Sequence, residues 1–258
     1  MEEAHALIIQ QIRNATVKVT YGGITFLIDP WFQDKGMGFS ANTIRPEMQG
    51  VKNPLHDLPD TPEHILERVE FCLVTHVHPD HVTKDYMPDE MRMIAQNEPD
   101  AEKLLQMGFQ NVEGFSDARM TIGQVTVHRV DGIHGDTPEA VGRMGPVSGF
   151  VLESKSEVPL YIAGDTIYYE GVRQTISRFL PGVIIVNCCA ATTPIGRLIM
   201  GLEDVERVCA DAPDALVIAS HLDTVNHATV SSADVKQMAL EKGLTQIRVP
   251  ANGESITI

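Results

Sequence analysis

An apolar stretch that ends in a cluster of histidines places the strongest constraint on how this chain can fold. Residues 70–74 read EFCLV, and residues 75–81 follow at once with THVHPDH. The sequence holds 10 histidines, and three of them fall within the six positions 76–81. A buried strand that ends in several imidazoles must give their nitrogens partners, since an unpaired buried polar group costs free energy. The pattern predicts a strand that leads directly into a metal site.

The spacing inside this segment indicates more than one ion. His76 and His78 are two apart, so an extended backbone points both imidazoles the same way. Pro79 then interrupts the strand and lets Asp80 and His81 aim elsewhere. Four ligands this close together cannot all comfortably reach one small ion, but they can serve two neighbouring ions. Imidazole and carboxylate ligands suit Zn, Fe, Mn or Ni, and no thiolate is needed.

The rest of the chain predicts layered α/β (α+β) architecture. Early apolar runs flank the turn sequence YGG at residues 21–23, which indicates a β-hairpin. Later strands alternate with helical patterns, and several apolar strands end in His or Asp. The closing segment 246–258, QIRVPANGESITI, is predicted to form a final hairpin. Together these patterns indicate sheets with one edge that collects polar ligands.

The segment THVHPDH resembles the HxHxDH signature of the metallo-β-lactamase-fold hydrolases. The resemblance implies a four-layer αββα sandwich, a single domain over residues 1–258, and a dinuclear metal site along one sheet edge. It also implies three further ligands after later strands: a histidine, a bridging aspartate and a final histidine.

Two positions compete for each of the first two ligands. His134 lies in the Gly-flanked loop DGIHGD, whereas His128 lies inside the alternating strand VTVHRV, so His134 is preferred. The tripeptide Gly-Asp-Thr occurs at Asp136 and at Asp165. Asp165 ends the apolar strand LYIAGD, as the family's bridging carboxylate does, whereas a turn role suffices for Asp136.

His221 ends the strand ALVIASH and is preferred as the final ligand over His227 in the loop beyond. His227 is open to a supporting or substrate-binding role or to a surface position. Asp29 ends the strand ITFLID and resembles the family residue that orients a metal ligand through its free ring N–H, with a structural cap as the alternative. The expected set is His76, His78 and His134 on one ion, Asp80, His81 and His221 on the other, and Asp165 between them.

The resemblance implies a hydrolase that uses a metal-bound hydroxide. Zinc can lower the pKa of bound water from ~15.7 to ~7, worth roughly 12 kcal/mol, whereas a general base contributes about 3–5 kcal/mol. Asp80 is expected to act as the catalytic residue that ligates and orients the nucleophile. Two divalent ions are expected, with zinc first and manganese or iron as alternatives. The segment 12–30, IRNATVKVTYGGITFLIDP, looks most like the branch that includes L-ascorbate-6-phosphate lactonase, which implies a small ester, lactone or phosphoester substrate.

The composition limits the kinds of partner that we expect the protein to bind. A formal charge of −15 disfavours nucleic acid and so weakens a nuclease of the same superfamily as an alternative. A metal-binding or ligand-sensing protein that is not an enzyme is the other alternative, against which the full ligand set argues. The acidic start MEEAHALIIQ and the lack of an apolar run of ~20 residues predict a cytoplasmic protein without a membrane partner. We expect a small-molecule substrate, leave a homo-oligomer open, and predict that the aperiodic segment at about 33–60 is a lid or substrate loop.

Overall fold

The fold was analysed in a computed structural model that describes residues 6–258, so the first five residues of the acidic start lie outside it. The strands are β1 (Ile8–Arg13), β2 (Thr16–Tyr21), β3 (Ile24–Ile28), β4 (Phe71–Val74), β5 (Arg92–Ala95), β6 (Asn111–Gly114), β7 (Arg119–Ile122), β8 (Val125–Gly132), β9 (Val147–Glu153), β10 (Leu160–Ile162), β11 (Val183–Asn187), β12 (Thr192–Thr193), β13 (Gly196–Arg197), β14 (Leu216–Ser220), β15 (Ile247–Arg248) and β16 (Ser255–Thr257). The helices are α1 (Pro62–Leu66), α2 (Glu98–Gln106), α3 (Pro138–Met144), α4 (Glu170–Phe179), α5 (Leu202–Asp211) and α6 (Ser232–Lys242), with a short 3-10 turn at Pro46–Met48.

Two seven-stranded sheets form the centre of the protein. The first has the strand order β16-β1-β2-β3-β4-β5-β6, and the second has the order β15-β14-β11-β10-β9-β8-β7. Antiparallel pairs join β1, β2 and β3, whereas β3, β4, β5 and β6 run parallel. The parallel pairs require crossovers, and α2 supplies the one between β5 and β6. Each sheet therefore combines hairpins with helix-linked parallel strands.

Alternating burial along single strands shows that both faces of each sheet are covered. In β4, Leu73 packs between the two sheets, while its neighbours Cys72 and Val74 pack on the other face with residues of α1 and α2. In β11, Ile185 packs between the sheets and Ile184 packs against α4, α5 and α6. A strand with period 2 that is apolar on both faces needs a layer on each side. The four layers αββα are thus observed, and the predicted fold class is confirmed.

Two local predictions have different outcomes. The YGG hairpin is confirmed, because β2 and β3 pair antiparallel across Gly22 and Gly23, whose φ angles are +57° and +74°. The final hairpin is wrong, because β15 pairs with β14 in one sheet and β16 pairs with β1 in the other. The turn between them bonds to Gln11, which accepts from Gly253 N and donates to Glu254 O. The chain end therefore joins the two sheets at one border.

The first apolar run also contains a turn that its pattern did not reveal. β1 and β2 form a hairpin, and Asn14 between them has a φ of +56°, a left-handed conformation that asparagine tolerates. Among residues 6–258, none of the helices has the length and apolar character needed to cross a bilayer.

Candidate metal centre

The site is built from the carboxyl ends of strands that point the same way. β3 and β4 run parallel, and so do β10, β11 and β14. β8 has the same direction as β10, because both are antiparallel to β9. Residues that directly follow these strands therefore meet at one edge of the sandwich. They are Asp29, the segment 75–81, His134, Asp165 and His221.

Three overlapping groups of donor atoms lie at this edge. In each group, one ligand atom per residue lies within 4.8 Å of the others. The groups are His76, His78 and His134; His76, His81 and Asp165; and Asp80, His81 and His221. The structure therefore brings together all seven residues that were expected as ligands.

Asp165 occupies the middle of the cluster. Its Oδ2 atom lies 3.2 Å from His81 Nε2, 3.6 Å from His134 Nε2 and 3.8 Å from His221 Nε2. The other oxygen, Oδ1, accepts a hydrogen bond of 2.8 Å from Asn187 Nδ2. One carboxylate oxygen is thus fixed by the protein, while the other faces imidazoles from three parts of the chain.

In two of the histidines, a hydrogen bond to a backbone carbonyl determines which ring nitrogen carries the proton and which keeps its lone pair. His134 Nδ1 lies 3.0 Å from Leu198 O, and His78 Nε2 lies 3.1 Å from Met144 O. A carbonyl only accepts hydrogen bonds, so these two nitrogens carry the protons. The lone pairs remain on His134 Nε2 and His78 Nδ1, which are then available to a metal.

Asp29 orients two further imidazoles. Its carboxylate accepts from His81 Nδ1 at 2.8 Å and from Thr75 Oγ1 at 2.7 Å. Because the Thr75 hydroxyl donates to Asp29, its oxygen accepts from His76 Nδ1 at 3.0 Å. The Nε2 atoms of His76 and His81 are both left for another partner.

Backbone strain marks the same edge. Asp29 and His221 have φ angles of +45° and +61°, in a region that non-glycine residues rarely adopt. Each is held there by a backbone hydrogen bond of 3.0 Å, from Asp29 N to Leu73 O and from His221 N to Asn14 O. Such conformations persist where the surroundings over-determine them, and they concentrate at functional sites.

The electrostatics of the cluster favour cations. Burial raises the pKa of Asp165 and Asp80, but the nearby imidazoles outweigh it and hold both pKa values below the ordinary range. Burial and the neighbouring imidazoles lower the pKa of His76 well below its usual value and that of His78 to about 4. For His81, burial is opposed and overcome by Asp165 and Asp29, which raise its pKa to about 10. The site thus combines ionised carboxylates with neutral imidazoles at His76 and His78 and a protonated imidazole at His81.

Unpaired nitrogen atoms show that the cluster fits a metal. Within residues 6–258, His76 Nε2 and His81 Nε2 are buried and have no hydrogen-bond partner. His81 Nε2 lies close to Asp165 Oδ2, but without the geometry of a hydrogen bond. Buried orphan imidazole nitrogens beside carboxylates are explained by divalent cations such as zinc, manganese or iron.

A cavity of about 520 Å³ opens onto the cluster. Its floor includes His78, Asp80, His134 and Asp165. The other walls are formed by Phe39, Ala41 and Asn42 of the segment 33–60, by Arg143 and Met144 at the end of α3, and by Ala191, Thr193, Pro194, Ile195, Leu198 and His227. The segment 33–60 therefore borders the site of its own chain.

The side chain of Asn226 makes several of the hydrogen bonds that hold the segment 33–60 against the cavity. Asn226 Oδ1 accepts from Ala41 N at 3.1 Å and from Asn53 Nδ2 at 3.0 Å. Asn226 Nδ2 donates to Ala41 O at 2.8 Å and to Met48 O at 3.2 Å. This loop is therefore a wall with defined contacts despite its lack of sequence periodicity.

The residues that competed with the expected ligands lie outside the three donor groups. His128 is an inward strand residue whose Nε2 lies 2.6 Å from Glu153 Oε2, outside the cavity. Asp136 accepts from Arg197 N at 3.0 Å in the loop before α3. His227 lines the cavity but belongs to none of the three donor groups.

Sequence reasoning missed several residues that support the cluster. Asn187 ends β11 just as Asp165 follows β10, so its strand-end position was a usable signal. Asn14 Nδ2 donates to Asp80 O at 3.0 Å and lies 3.3 Å from His221 Nε2. Cys189 Sγ lies 3.5 Å from His221 Nδ1.

Known proteins resemble this chain along nearly its whole length. The family described as β-lactamase superfamily domain matches residues 25–222. UPF0173 protein YddR of Bacillus subtilis (strain 168) is 40% identical over 255 residues, which cover 96% of this chain and 99% of that protein.

Two solved structures are also similar. A possible metal-dependent hydrolase from Veillonella parvula DSM 2008 has a TM-score of 0.92 at 31% identity, covering 98% of this chain and 100% of that chain. The isothiocyanate hydrolase from Delia radicum gut bacteria has a TM-score of 0.91 at 31% identity, covering 97% and 99%. The family match spans every strand end that contributes to the donor cluster, from Asp29 to His221. The chain therefore belongs to the β-lactamase superfamily domain family and has the metallo-β-lactamase fold.

Proposed function

We propose that the chain is a metal-dependent hydrolase that holds two divalent cations and cleaves a small neutral electrophile such as an ester, a lactone or an isothiocyanate. The observation that carries the proposal is the central carboxylate, Asp165, whose Oδ2 lies 3.2–3.8 Å from His134 of one donor group and from His81 and His221 of another. One cation would be held by His76, His78 and His134, the other by Asp80, His81 and His221, with Asp165 between them. The two relatives of solved structure that are named for hydrolase activity support the reaction class.

The chemistry of the cations would supplement what the protein supplies. When bound, zinc, manganese or iron acts as a Lewis acid and lowers the pKa of a coordinated water. Asp80 lines the cavity and lies 3.5 Å from His221 through its Oδ2 atom, so its carboxylate can accept a hydrogen bond from the attacking water. Its own backbone carbonyl is held by Asn14 Nδ2. Asp80 would thereby orient the nucleophile toward the cavity.

The cavity walls favour a neutral substrate over a phosphoester. Phe39, Met144, Pro194, Ile195 and Leu198 present apolar surface. Among the described residues, Arg143 is the single Lys or Arg of the cavity lining, and it is paired at 2.9 Å with Glu139 on the exposed side of α3. A phosphate-binding site normally presents several donors or a committed arginine. The likeness to the L-ascorbate-6-phosphate lactonase branch stays a prediction, and this wall chemistry supports lactone cleavage better than recognition of a phosphate.

The test is a reconstitution assay with four probes. The metal-free protein is loaded separately with zinc, manganese and iron and assayed with p-nitrophenyl acetate, γ-butyrolactone, allyl isothiocyanate and p-nitrophenyl phosphate. We expect turnover of at least one neutral probe, its loss on chelation, and a fall in kcat of at least ~10²-fold in Asp80→Asn. Turnover of the phosphate alone would contradict the neutral-substrate proposal, and no turnover with any loaded metal would contradict hydrolysis.

A further inference from the structure

His227 is a buried residue of the cavity wall that is not part of the donor groups. Its side chain lines the 520 Å³ cavity together with Asp80, His134 and Asp165. The residue is 6% exposed, and its Nδ1 atom has no hydrogen-bond partner within residues 6–258. Because it belongs to none of the donor groups, the orphan nitrogen needs an explanation other than a metal.

Hydrogen bonds fix the backbone around His227, and Phe39 contacts its ring. The His227 carbonyl accepts from Thr192 N at 2.8 Å, and the preceding Asn226 is fixed to the segment 33–60 by its side chain. The ring of Phe39 meets the imidazole edge-on, with 6.3 Å between the centroids. Burial lowers the pKa of His227 to about 4, so the neutral imidazole offers one N–H donor and one acceptor at neutral pH. A positioned donor is therefore available at the cavity wall.

The other polar groups of the cavity wall are poorer candidates for donating a hydrogen bond to a bound molecule. Apart from the expected ligands, the lining side chains with N–H or O–H donors are Asn42, Arg143, Thr193 and His227. Asn42 and Arg143 are exposed, and Arg143 is paired with Glu139. Thr193 is half-buried, and its hydroxyl donates to Gly196 O at 3.4 Å. Only His227 of these four is both buried and without a partner in the described chain.

We propose that His227 is a catalytic residue whose ring N–H donates a hydrogen bond to the substrate heteroatom that gains negative charge. The inference rests on the proposed hydrolase function and assigns a residue to it. As water attacks, its oxygen bonds to the electrophilic carbon, and the π-electron pair of the C=O or C=N bond moves onto the heteroatom. The His227 N–H stabilises that charge without transferring its proton. The adduct of an ester or lactone then expels its alkoxide, which takes up a proton released from the attacking water. After attack on a C=N bond, the nitrogen anion takes up that proton instead.

The experiment compares three variants that separate hydrogen bonding from packing. His227→Leu removes both ring nitrogens, whereas His227→Asn and His227→Gln place an amide nitrogen near the positions of Nδ1 and Nε2. His128→Leu is the matched control, because His128 is also buried, at 8% exposed, but lies outside the cavity. Each protein is loaded with zinc and measured for metal content, for kcat and KM with p-nitrophenyl acetate, and for the Kd of phenylboronic acid by calorimetry. That acid becomes tetrahedral on taking up hydroxide and so imitates the adduct.

We expect His227→Leu to keep its metal and its KM while kcat falls by about 10²-fold, the usual effect of removing one such donor. The Kd of phenylboronic acid should rise in parallel, and either His227→Asn or His227→Gln should recover part of both losses. His128→Leu should match the wild type in kcat and Kd. Unchanged kcat and Kd in His227→Leu would overturn this inference while leaving the hydrolase intact, and so would loss of bound metal in that variant. A loaded wild type that neither turns over any of the four neutral or phosphorylated probes nor binds phenylboronic acid would overturn both proposals.

Discussion

The substitution Asp29→Asn should weaken metal binding although Asp29 is not expected to touch a metal. Asp29 is 1% exposed and accepts three hydrogen bonds: from Thr75 N at 2.8 Å, from Thr75 Oγ1 at 2.7 Å and from His81 Nδ1 at 2.8 Å. Asparagine has nearly the same size, but one of its two polar atoms donates instead of accepting. Whichever way the amide lies, an N–H group must face a donor.

The two orientations of the amide have different costs. With NH₂ at the Oδ1 position, it faces the Thr75 N–H, and a buried unpaired donor costs about 1–3 kcal/mol. With NH₂ at the Oδ2 position, His81 must move its proton from Nδ1 to Nε2 to avoid the clash, and Nε2 then has no lone pair for a metal. Loss of such an orienting partner typically costs 10–100-fold in metal affinity, or about 1.4–2.7 kcal/mol.

A zinc competition titration against a chromophoric chelator measures the affinity, and urea unfolding of the metal-free protein measures the stability. Asp100→Asn is the matched control, because Asp100 is 2% exposed and hydrogen-bonded to Gln96 and Lys103 but lies on α2, outside the donor groups. We expect weaker zinc binding in Asp29→Asn and unchanged zinc binding in Asp100→Asn. If Asp29→Asn is less stable yet binds zinc as the wild type does, Asp29 is only a structural cap and the reasoning is refuted.

Three further substitutions test the scaffold around the site. Asn226→Ala removes the amide that bonds to Ala41, so it should lower the free energy of unfolding by about 2 kcal/mol and speed limited proteolysis within residues 33–60. An unchanged digest would contradict the role of Asn226 in holding this segment. Phe150→Ala, between the two sheets and fully buried, should cost about 3–5 kcal/mol in urea unfolding, and a cost below 1 kcal/mol would argue against a shared core. Gly164 directly precedes Asp165, and its φ is +67°; a Cβ added there would lie 2.6 Å from Ser148 O. Gly164→Ala should therefore displace the backbone next to Asp165 and reduce the metal content. A metal content equal to that of the wild type would show that the turn can shift without harm.

Features that depend on local sequence were predictable. The strand before Thr75 is apolar at every position, and the histidines follow where the strand stops, so the position of this histidine segment could be predicted without knowing which residues surround it. The same strand-end reasoning selected His134, Asp165 and His221, which the structure brings to one edge because parallel strands end there. The four-layer fold followed from the same pattern together with the HxHxDH resemblance.

Features that depend on contacts between residues distant in the sequence were not predictable. The carbonyl groups of Leu198 and Met144 orient His134 and His78, but any residue supplies a carbonyl, so no side-chain pattern points to them. For a related reason, the sequence did not show that β15 and β16 pair in different sheets. Both strands are short, and their partners lie far away in the sequence, in β14 and β1.

The central claim is a site that would hold two cations with Asp165 between them, and metal content per chain tests it most directly. Wild type and Asp165→Ala are purified without added metal, reconstituted with zinc, and measured by plasma mass spectrometry against protein concentration. Asp136→Ala is the control, since Asp136 is the aspartate of the other Gly-Asp-Thr tripeptide and lies outside the donor groups. The account predicts about two ions per chain in wild type and Asp136→Ala and clearly fewer in Asp165→Ala. Wild-type protein that binds no zinc after reconstitution, or Asp165→Ala that keeps both ions, would contradict it.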